Sequence, residues 1–229
     1  MFYPFDYYYL ILVVPALLFA MWAQSQVSGA YNRYSRVRVS RGMTGAMAAR
    51  RILDDNGLQS VRVERIGGKL SDHYDPGTRV VRLSAGVYDG DSVASLGVAA
   101  HECGHAVQHA TRYSPLTFRN AIIPITNFGS KLSIPLIIVG LFFSGTLVDI
   151  GLLLFSLVAV FQLVTLPVEF NASSRALATL ENATFLDQGE LEGARKVLRA
   201  AALTYVAALL VSVAQLLRLI LLFGNRRRD

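Results

Sequence analysis

The chain has 229 residues, of which 53% are hydrophobic and only 17% are charged, and its mean hydropathy is +0.41. These values exclude an ordinary soluble domain of this length and indicate a membrane protein. The formal charge of +6 does not indicate a nucleic-acid binder, because the basic residues stand beside apolar spans and form no stripe interleaved with aromatic residues.

The first apolar segment runs from Phe5 to Trp22, which is long enough to cross a bilayer as a helix. No positive charge precedes it and no clean cleavage site follows it, so we expect residues 1–23 to be a retained transmembrane helix. Several arginines follow it closely, namely Arg33, Arg36, Arg38 and Arg41. Under the positive-inside rule they predict that the next polar block is cytoplasmic.

That polar block, residues 24–119, carries signals for helices and strands. Thr44 can cap a helix through AMAARRILDD, and Asn56-Gly57 can end it. The segments VRVERI and RVVRLS alternate apolar and polar residues between Gly and Pro signals, which predicts an antiparallel pair of strands. Asp91 or Ser92 can cap the helix that contains VASLGVAAHECGHAVQHA.

The second half of the chain returns to the membrane. Residues 120–168 predict a helical hairpin that turns near residues 143–146, with Lys131 in its first limb. Residues 169–200 predict a polar helical segment that joins the first polar block in space and completes its functional site with Glu169. Residues 201–229 predict a last transmembrane helix, where Arg218 can snorkel, and a basic tail. Four spans would place both ends outside, which conflicts with the arginines at 226–228, so either the last helix does not cross or the rule is broken once.

The expected fold is therefore a mainly α membrane protein. About four transmembrane helices accompany a small cytoplasmic α+β domain of helices and a short antiparallel β-hairpin, and the HExxH pattern at residues 101–105 predicts that this domain is zincin-like. The expected location is the cell membrane, as a multi-pass integral protein.

The sequence His101-Glu102-Cys103-Gly104-His105 matches the HExxH pattern of zinc peptidases. Residues four apart share one helix face, so the two imidazoles can bind one zinc ion. Glu102 is then placed to act as general base on the attacking water. Cys103 faces away from both histidines, which favours a packing role over metal binding.

A catalytic zinc site needs a third protein ligand. The metzincin pattern would place a histidine at Thr111, and His109 cannot join the other two around one ion on a straight helix, so it is expected to be a surface or outer-sphere imidazole. Residues 186–189 do not match the aspartate segment of site-two proteases. Glu169, at the end of the apolar hairpin, is the best candidate, with Glu181 as the alternative.

Several segments together resemble the YugP-like neutral zinc metallopeptidases, a membrane group related to the HtpX-type gluzincins: GGKLSDHYDP, RLSAGVYDG, AAHECGHAVQHA, LPVEFNASSRAL and AALTYVAALL. The resemblance implies a zinc-dependent endopeptidase of the cytoplasmic membrane, with His101, His105 and Glu169 as ligands and Glu102 as general base. HtpX-type proteases carry an aspartate at the position of Ser173. A histidine ligand here is therefore expected to have another hydrogen-bond partner, such as Asn171, or none.

The sequence offers several candidates for stabilising the oxyanion and one for binding the substrate. His73, Tyr74 and Arg175 are candidates for stabilising the oxyanion, and RVVRLS, as an edge strand, is a candidate for binding an extended substrate. The expected partners are the lipid bilayer and a peptide or membrane-protein substrate, with a role in quality control; no nucleic acid is expected, and the sequence sets no oligomeric state.

The alternative is a non-catalytic membrane scaffold with a structural zinc ion. Such a site would be closed by four protein ligands, and Cys103 and His109 are the spare ligands nearby. A channel or transporter is disfavoured, because the spans show no paired buried charges.

Overall fold

A computed structural model describes residues 6–223. A π-helical turn, Tyr9–Val13, leads into helix α1, and the elements follow in this order: α1 Val14–Tyr34, α2 Gly45–Asp55, β1 Arg62–Ile66, β2 His73–Asp75, β3 Val80–Ser84, α3 Ala85–Tyr88, α4 Val93–Ala110, α5 Ser114–Phe143, α6 Gly145–Asn182 and α7 Gln188–Phe223. Contacts divide the described residues into two compact units. We call residues 6–23, 117–167 and 203–223 the membrane unit, and residues 24–116 and 168–202 the polar unit.

The described chain contains four helices that are long and apolar enough to cross a bilayer: Tyr9–Tyr34, α5, α6 and α7. This confirms the predicted mainly α membrane protein with about four spans. Helices α5 and α6 are separated only at Ser144, within the predicted turn. Phe5 and the basic tail at 226–228 lie outside the described residues.

Arg218 in the membrane unit was predicted to snorkel, but its side chain is buried instead. It is only 7% exposed, and its Nε and Nη2 atoms lie 2.9 and 2.6 Å from Oδ2 of Asp6. Its guanidinium also stacks over the ring of Tyr9, 5.0 Å from the centroid. The expectation that the spans lack paired buried charges was therefore wrong at this position, because a partner 212 residues away neutralises the arginine.

The helix ends in the polar unit follow the capping chemistry of the sequence. Thr44 accepts a hydrogen bond from the backbone N–H of Met47 at the start of α2, and Gly57 takes a φ of +72° beyond its end, as predicted. Of the two candidates for the start of α4, Ser92 is the cap and accepts from the N–H of Ser95.

The three strands form one mixed sheet in the order β1-β3-β2. The segments predicted as an antiparallel pair, β1 and β3, are parallel neighbours, and β3 is central rather than an edge strand. Both expectations failed because the connection between them forms its own strand: β2 lies at the far edge and pairs antiparallel with β3. The chain reaches that edge before it turns back, which allows the parallel pairing.

Asp75 holds the turn between β2 and β3. Its carboxylate accepts hydrogen bonds from the Thr78 hydroxyl, the Arg82 guanidinium and the Gly77 N–H, at 2.7, 2.9 and 2.9 Å. These hydrogen bonds, from Thr78 first and then Arg82, lower the pKa of Asp75 below its usual value. The turn fixes the position of the short edge strand.

The core of the polar unit surrounds α4 and takes buried residues from α2, β3, the end of α6 and the start of α7. Residues spaced four apart along α6 are buried, namely Val168, Ala172, Ala176 and Leu180. Gly104 of α4 lies against them: a Cβ added there would be 2.8 Å from the carbonyl oxygen of Ala172. The absent side chain lets the two helices approach closely, and this brings Glu169 to the HExxH face.

Candidate metal centre

Three side chains from two helices converge in the polar unit. His101 and His105 lie one turn apart on α4 with ring centroids 4.7 Å apart, and Glu169 comes from α6. Oε2 of Glu169 lies 3.3 Å from Nε2 of His101 and 3.6 Å from Nε2 of His105. All three ligand atoms lie within 4.8 Å of one another.

These separations fit a zinc ion. Tetrahedral zinc with bonds of about 2.0–2.1 Å holds its ligand atoms about 3.3–3.4 Å apart, close to the two distances from Glu169. Two imidazole nitrogens and one carboxylate oxygen also form a donor set used by catalytic zinc sites. Among residues 6–223, no fourth histidine, cysteine, aspartate or glutamate joins the group. The residues therefore fit zinc held by three protein ligands.

Glu102 is oriented by the edge strand. Its side chain is 8% exposed, and Oε2 accepts a hydrogen bond of 3.0 Å from the backbone N–H of Tyr74 in β2. Because a backbone N–H can only donate, this contact holds the carboxylate in a fixed direction beside the histidines.

Uncharged groups contact the other nitrogen of each histidine ring. The hydroxyl of Ser173 lies 3.2 Å from Nδ1 of His101, and Oε1 of Gln108 lies 3.0 Å from Nδ1 of His105. A histidine ligand was expected to have a partner other than the aspartate of HtpX-type proteases, or none, and the Ser173 hydroxyl is such a partner for His101. Asn171 contacts neither ring and instead accepts a hydrogen bond from Gln108.

The charges around His105 favour its protonated form. Burial lowers the pKa of His105, but the hydrogen bond with Glu169 and the charge of Glu102 outweigh burial, so the pKa lies above its usual value. Either a proton on His105 or a metal ion at its Nε2 can therefore compensate the negative charge of Glu169 and Glu102.

The other predicted residues occupy separate positions. Cys103 is buried on the opposite side of α4, where its Sγ lies 3.6 Å from the carbonyl oxygen of Ala49 and burial raises its pKa. This confirms the packing role. Glu181 is exposed and does not belong to the ligand group.

Of the three candidates for oxyanion stabilisation, only Tyr74 is hydrogen-bonded to Glu102. Its hydroxyl also lies 2.8 Å from Nδ1 of His109, and burial raises the pKa of Tyr74, which keeps the phenol protonated. His73 is exposed and contacts the Ser71 carbonyl, and Nε of Arg175 donates to Asn171. His109 is thus the partner of Tyr74 rather than a ligand.

Sequence reasoning missed Gln108, which is completely buried. It could have been suspected because it is a polar residue in an apolar helix and stands three positions after His105, on the same side as the ligands. Its partners lie on α6 and were not identifiable from the spacing alone.

Residues 9–224 match the model of a family described as "Putative neutral zinc metallopeptidase". The chain is 49% identical over 223 residues to "Putative membrane protease YugP" of Bacillus subtilis (strain 168), covering 96% of this chain and 99% of that protein. No solved structure matches the chain.

Proposed function

The chain belongs to the family described as "Putative neutral zinc metallopeptidase", and from that premise we propose that it is a membrane-embedded zinc-dependent endopeptidase. We further propose that it hydrolyses peptide bonds at the cytoplasmic surface of the cell membrane and acts in membrane-protein quality control. The observation that carries the proposal is the convergence of His101, His105 and Glu169 at zinc-ligand spacing beside the buried carboxylate of Glu102.

When bound, zinc would polarise the scissile carbonyl and make the attacking water more acidic. Glu102 takes a proton from that water and then delivers it to the leaving amine. The hydrogen bond from the Tyr74 N–H supports this role, because it limits the carboxylate to one direction during both transfers.

Tyr74 is the best candidate for stabilising the oxyanion. Its phenol is protonated at neutral pH, its backbone contacts the general base, and its hydroxyl is held by His109. A positioned O–H donor can stabilise the charge that develops on the carbonyl oxygen.

The edge strand β2 is the candidate for substrate binding, in place of β3. It lies at the end of the sheet order, and its central residue contacts Glu102. An extended peptide that pairs with this edge would run past the general base. Loops and tails of membrane proteins suit such a strand-like mode.

The scaffold alternative is less well supported. A structural zinc site would need a fourth protein ligand, but Cys103 is buried on the other side of α4 and His109 contacts Tyr74. The described residues offer no other candidate in the ligand group.

The decisive experiment compares metal content and peptide cleavage of the purified protein in detergent. Glu102→Gln should bind zinc and lose cleavage, because only the general base is removed. Glu169→Ala should lose both zinc and cleavage. Cleavage that persists in Glu102→Gln would refute the mechanism, and zinc binding that is unchanged in Glu169→Ala would refute the ligand set.

The cytoplasmic orientation is tested separately. Cys103 is buried, so a cysteine introduced at exposed Lys69 would be the reactive thiol. An impermeant maleimide should label Lys69→Cys in inverted membrane vesicles and not in intact cells. The opposite pattern would place the polar unit outside.

A further inference from the structure

We propose that Gln108 is a positioning residue for the metal centre, which fixes the tautomer of His105 through amide hydrogen bonds that continue to Asn171. The inference rests on the proposed function, because it concerns the zinc ligands. It assigns to Gln108 and Asn171 the task of orienting a zinc ligand.

The orientation of the Gln108 amide follows from its neighbours. Its Nε2 lies 2.8 Å from the backbone carbonyl of Val168 and 3.0 Å from Oδ1 of Asn171. A backbone carbonyl can only accept a hydrogen bond, so the NH₂ group must face Val168. The side chain is 0% exposed, so water does not replace these partners.

Arg175 fixes the second amide in the same way. Its Nε lies 2.8 Å from Asn171, and an arginine Nε–H is always a donor. The atom of Asn171 that faces both Arg175 and Gln108 must therefore be the oxygen. Each amide thus has a partner, the Val168 carbonyl for Gln108 and the Arg175 guanidinium for Asn171, that determines which of its ends is nitrogen and which is oxygen.

The tautomer of His105 then has only one solution. Because Nε2 of Gln108 donates to acceptors on α6, its Oε1 faces Nδ1 of His105 at 3.0 Å. That oxygen can only accept a hydrogen bond. Nδ1 must carry a hydrogen, and in the neutral ring Nε2 carries the lone pair. Nε2 is the atom that lies 3.6 Å from Glu169. Gln108 therefore directs the lone pair of His105 to the proposed ion.

This network discriminates between an amide and a carboxylate of the same shape. Many zinc-bound histidines donate to a carboxylate, which strengthens binding. A glutamate at position 108 would instead face two acceptors, the Val168 carbonyl and Oδ1 of Asn171, without a hydrogen to give. An aspartate at position 171 would still accept from both Gln108 and Arg175. The two positions should therefore respond unequally to acidic substitution.

The test measures zinc affinity by competition with a chromophoric chelator, using the full-length protein in detergent. We expect Gln108→Glu and Gln108→Met to bind zinc roughly 10- to 100-fold more weakly, the range found when outer partners of metal ligands are removed. Gln188→Glu, which adds the same charge at an exposed position of the polar unit, should bind like the wild type. Asn171→Asp should lose less affinity than Asn171→Leu.

A spectroscopic readout separates positioning from general packing. Nitrogen-15 NMR of histidine-labelled, zinc-loaded protein should show a protonated Nδ1 and a metal-bound Nε2 at His105. A metal-bound Nδ1, or Gln108→Glu that binds zinc as tightly as the wild type, would overturn the inference while leaving the proposed function intact. If Gln108→Glu does not fold, the Asn171 pair decides: equal losses would overturn the inference. A wild-type protein that binds no zinc would overturn both proposals.

Discussion

Replacing Gly104 by alanine tests the close approach of helices on which the metal centre depends. In an isolated helix this change would be favourable by about 0.5–1 kcal/mol, because glycine loses more backbone entropy on folding. In the folded protein the new Cβ would lie 2.8 Å from the carbonyl oxygen of Ala172 and 3.3 Å from its carbonyl carbon and Cα. Backbone atoms of a packed helix cannot rotate away as a side chain can.

The size of the effect follows from these distances. Carbon–oxygen contacts are normally about 3.3–3.6 Å, so α4 and α6 must separate locally by about 0.5 Å. Gly104 adjoins His105, and Ala172 is three residues after Glu169, so the gap between ligands widens by a similar amount. Metal sites tolerate about 0.2 Å. We expect zinc to bind roughly 10- to 100-fold more weakly, a loss comparable to that of an outer-sphere partner. Overpacking should destabilise the fold by about 1–3 kcal/mol.

Gly97→Ala is the matched control on the same buried helix. A Cβ at position 97 would lie 3.5 Å from Cβ of Ala194, which is an ordinary contact. This variant should keep its zinc affinity and gain about 0.5–1 kcal/mol in stability. Chelator competition and thermal unfolding in one detergent measure both quantities. Equal zinc affinity in both variants would refute the argument that the Gly104 contact sets the ligand spacing.

Three other properties can be checked on the same protein. Cys103 should resist maleimide in the folded state and react after denaturation, since burial shields the thiol and raises its pKa; equal labelling in both states would contradict this. Without metal, the ion pair of protonated His105 with Glu169 should stabilise the fold fully below a pH of about 6.5, and this stabilisation should be lost as the pH rises through the raised pKa of His105. With zinc, the trend should reverse, because protons compete with the ion for His105. Melting temperatures measured against pH, with and without chelator, separate the two trends. Asp6→Asn should cost about 3 kcal/mol, measured by unfolding in detergent, because the buried guanidinium of Arg218 loses a carboxylate, while Asp6→Glu should cost less.

Features set by local geometry were predictable from the sequence. The four long helices follow from apolar length alone, and the shared face of His101 and His105 follows from helical periodicity. The cap at Thr44 is equally local, because the hydroxyl acts on an N–H three residues away.

Features that depend on distant pairing were not predictable. Alternation of apolar and polar residues is the same in parallel and antiparallel strands, so it could not decide how β1 and β3 pair. The deciding element, β2, has only three residues. The partners of Gln108 lie 60 and 63 residues away on α6, and Arg218 finds Asp6 at the other end of the chain. No short pattern encodes such distances.

The balance of charge gives a physical reason for a cation at this site. Glu102 and Glu169 are 8% and 4% exposed, and burying two carboxylates is costly unless positive charge compensates them. The groups that contact the histidine Nδ1 atoms, Gln108 and Ser173, are uncharged. Positive charge at the ligand atoms must therefore come from protons on the imidazoles or from a metal ion. A neutral His105 with its Nε2 lone pair turned towards Glu169 suits the ion, and for this reason Gln108 contributes to the chemistry of the site as well as to its packing.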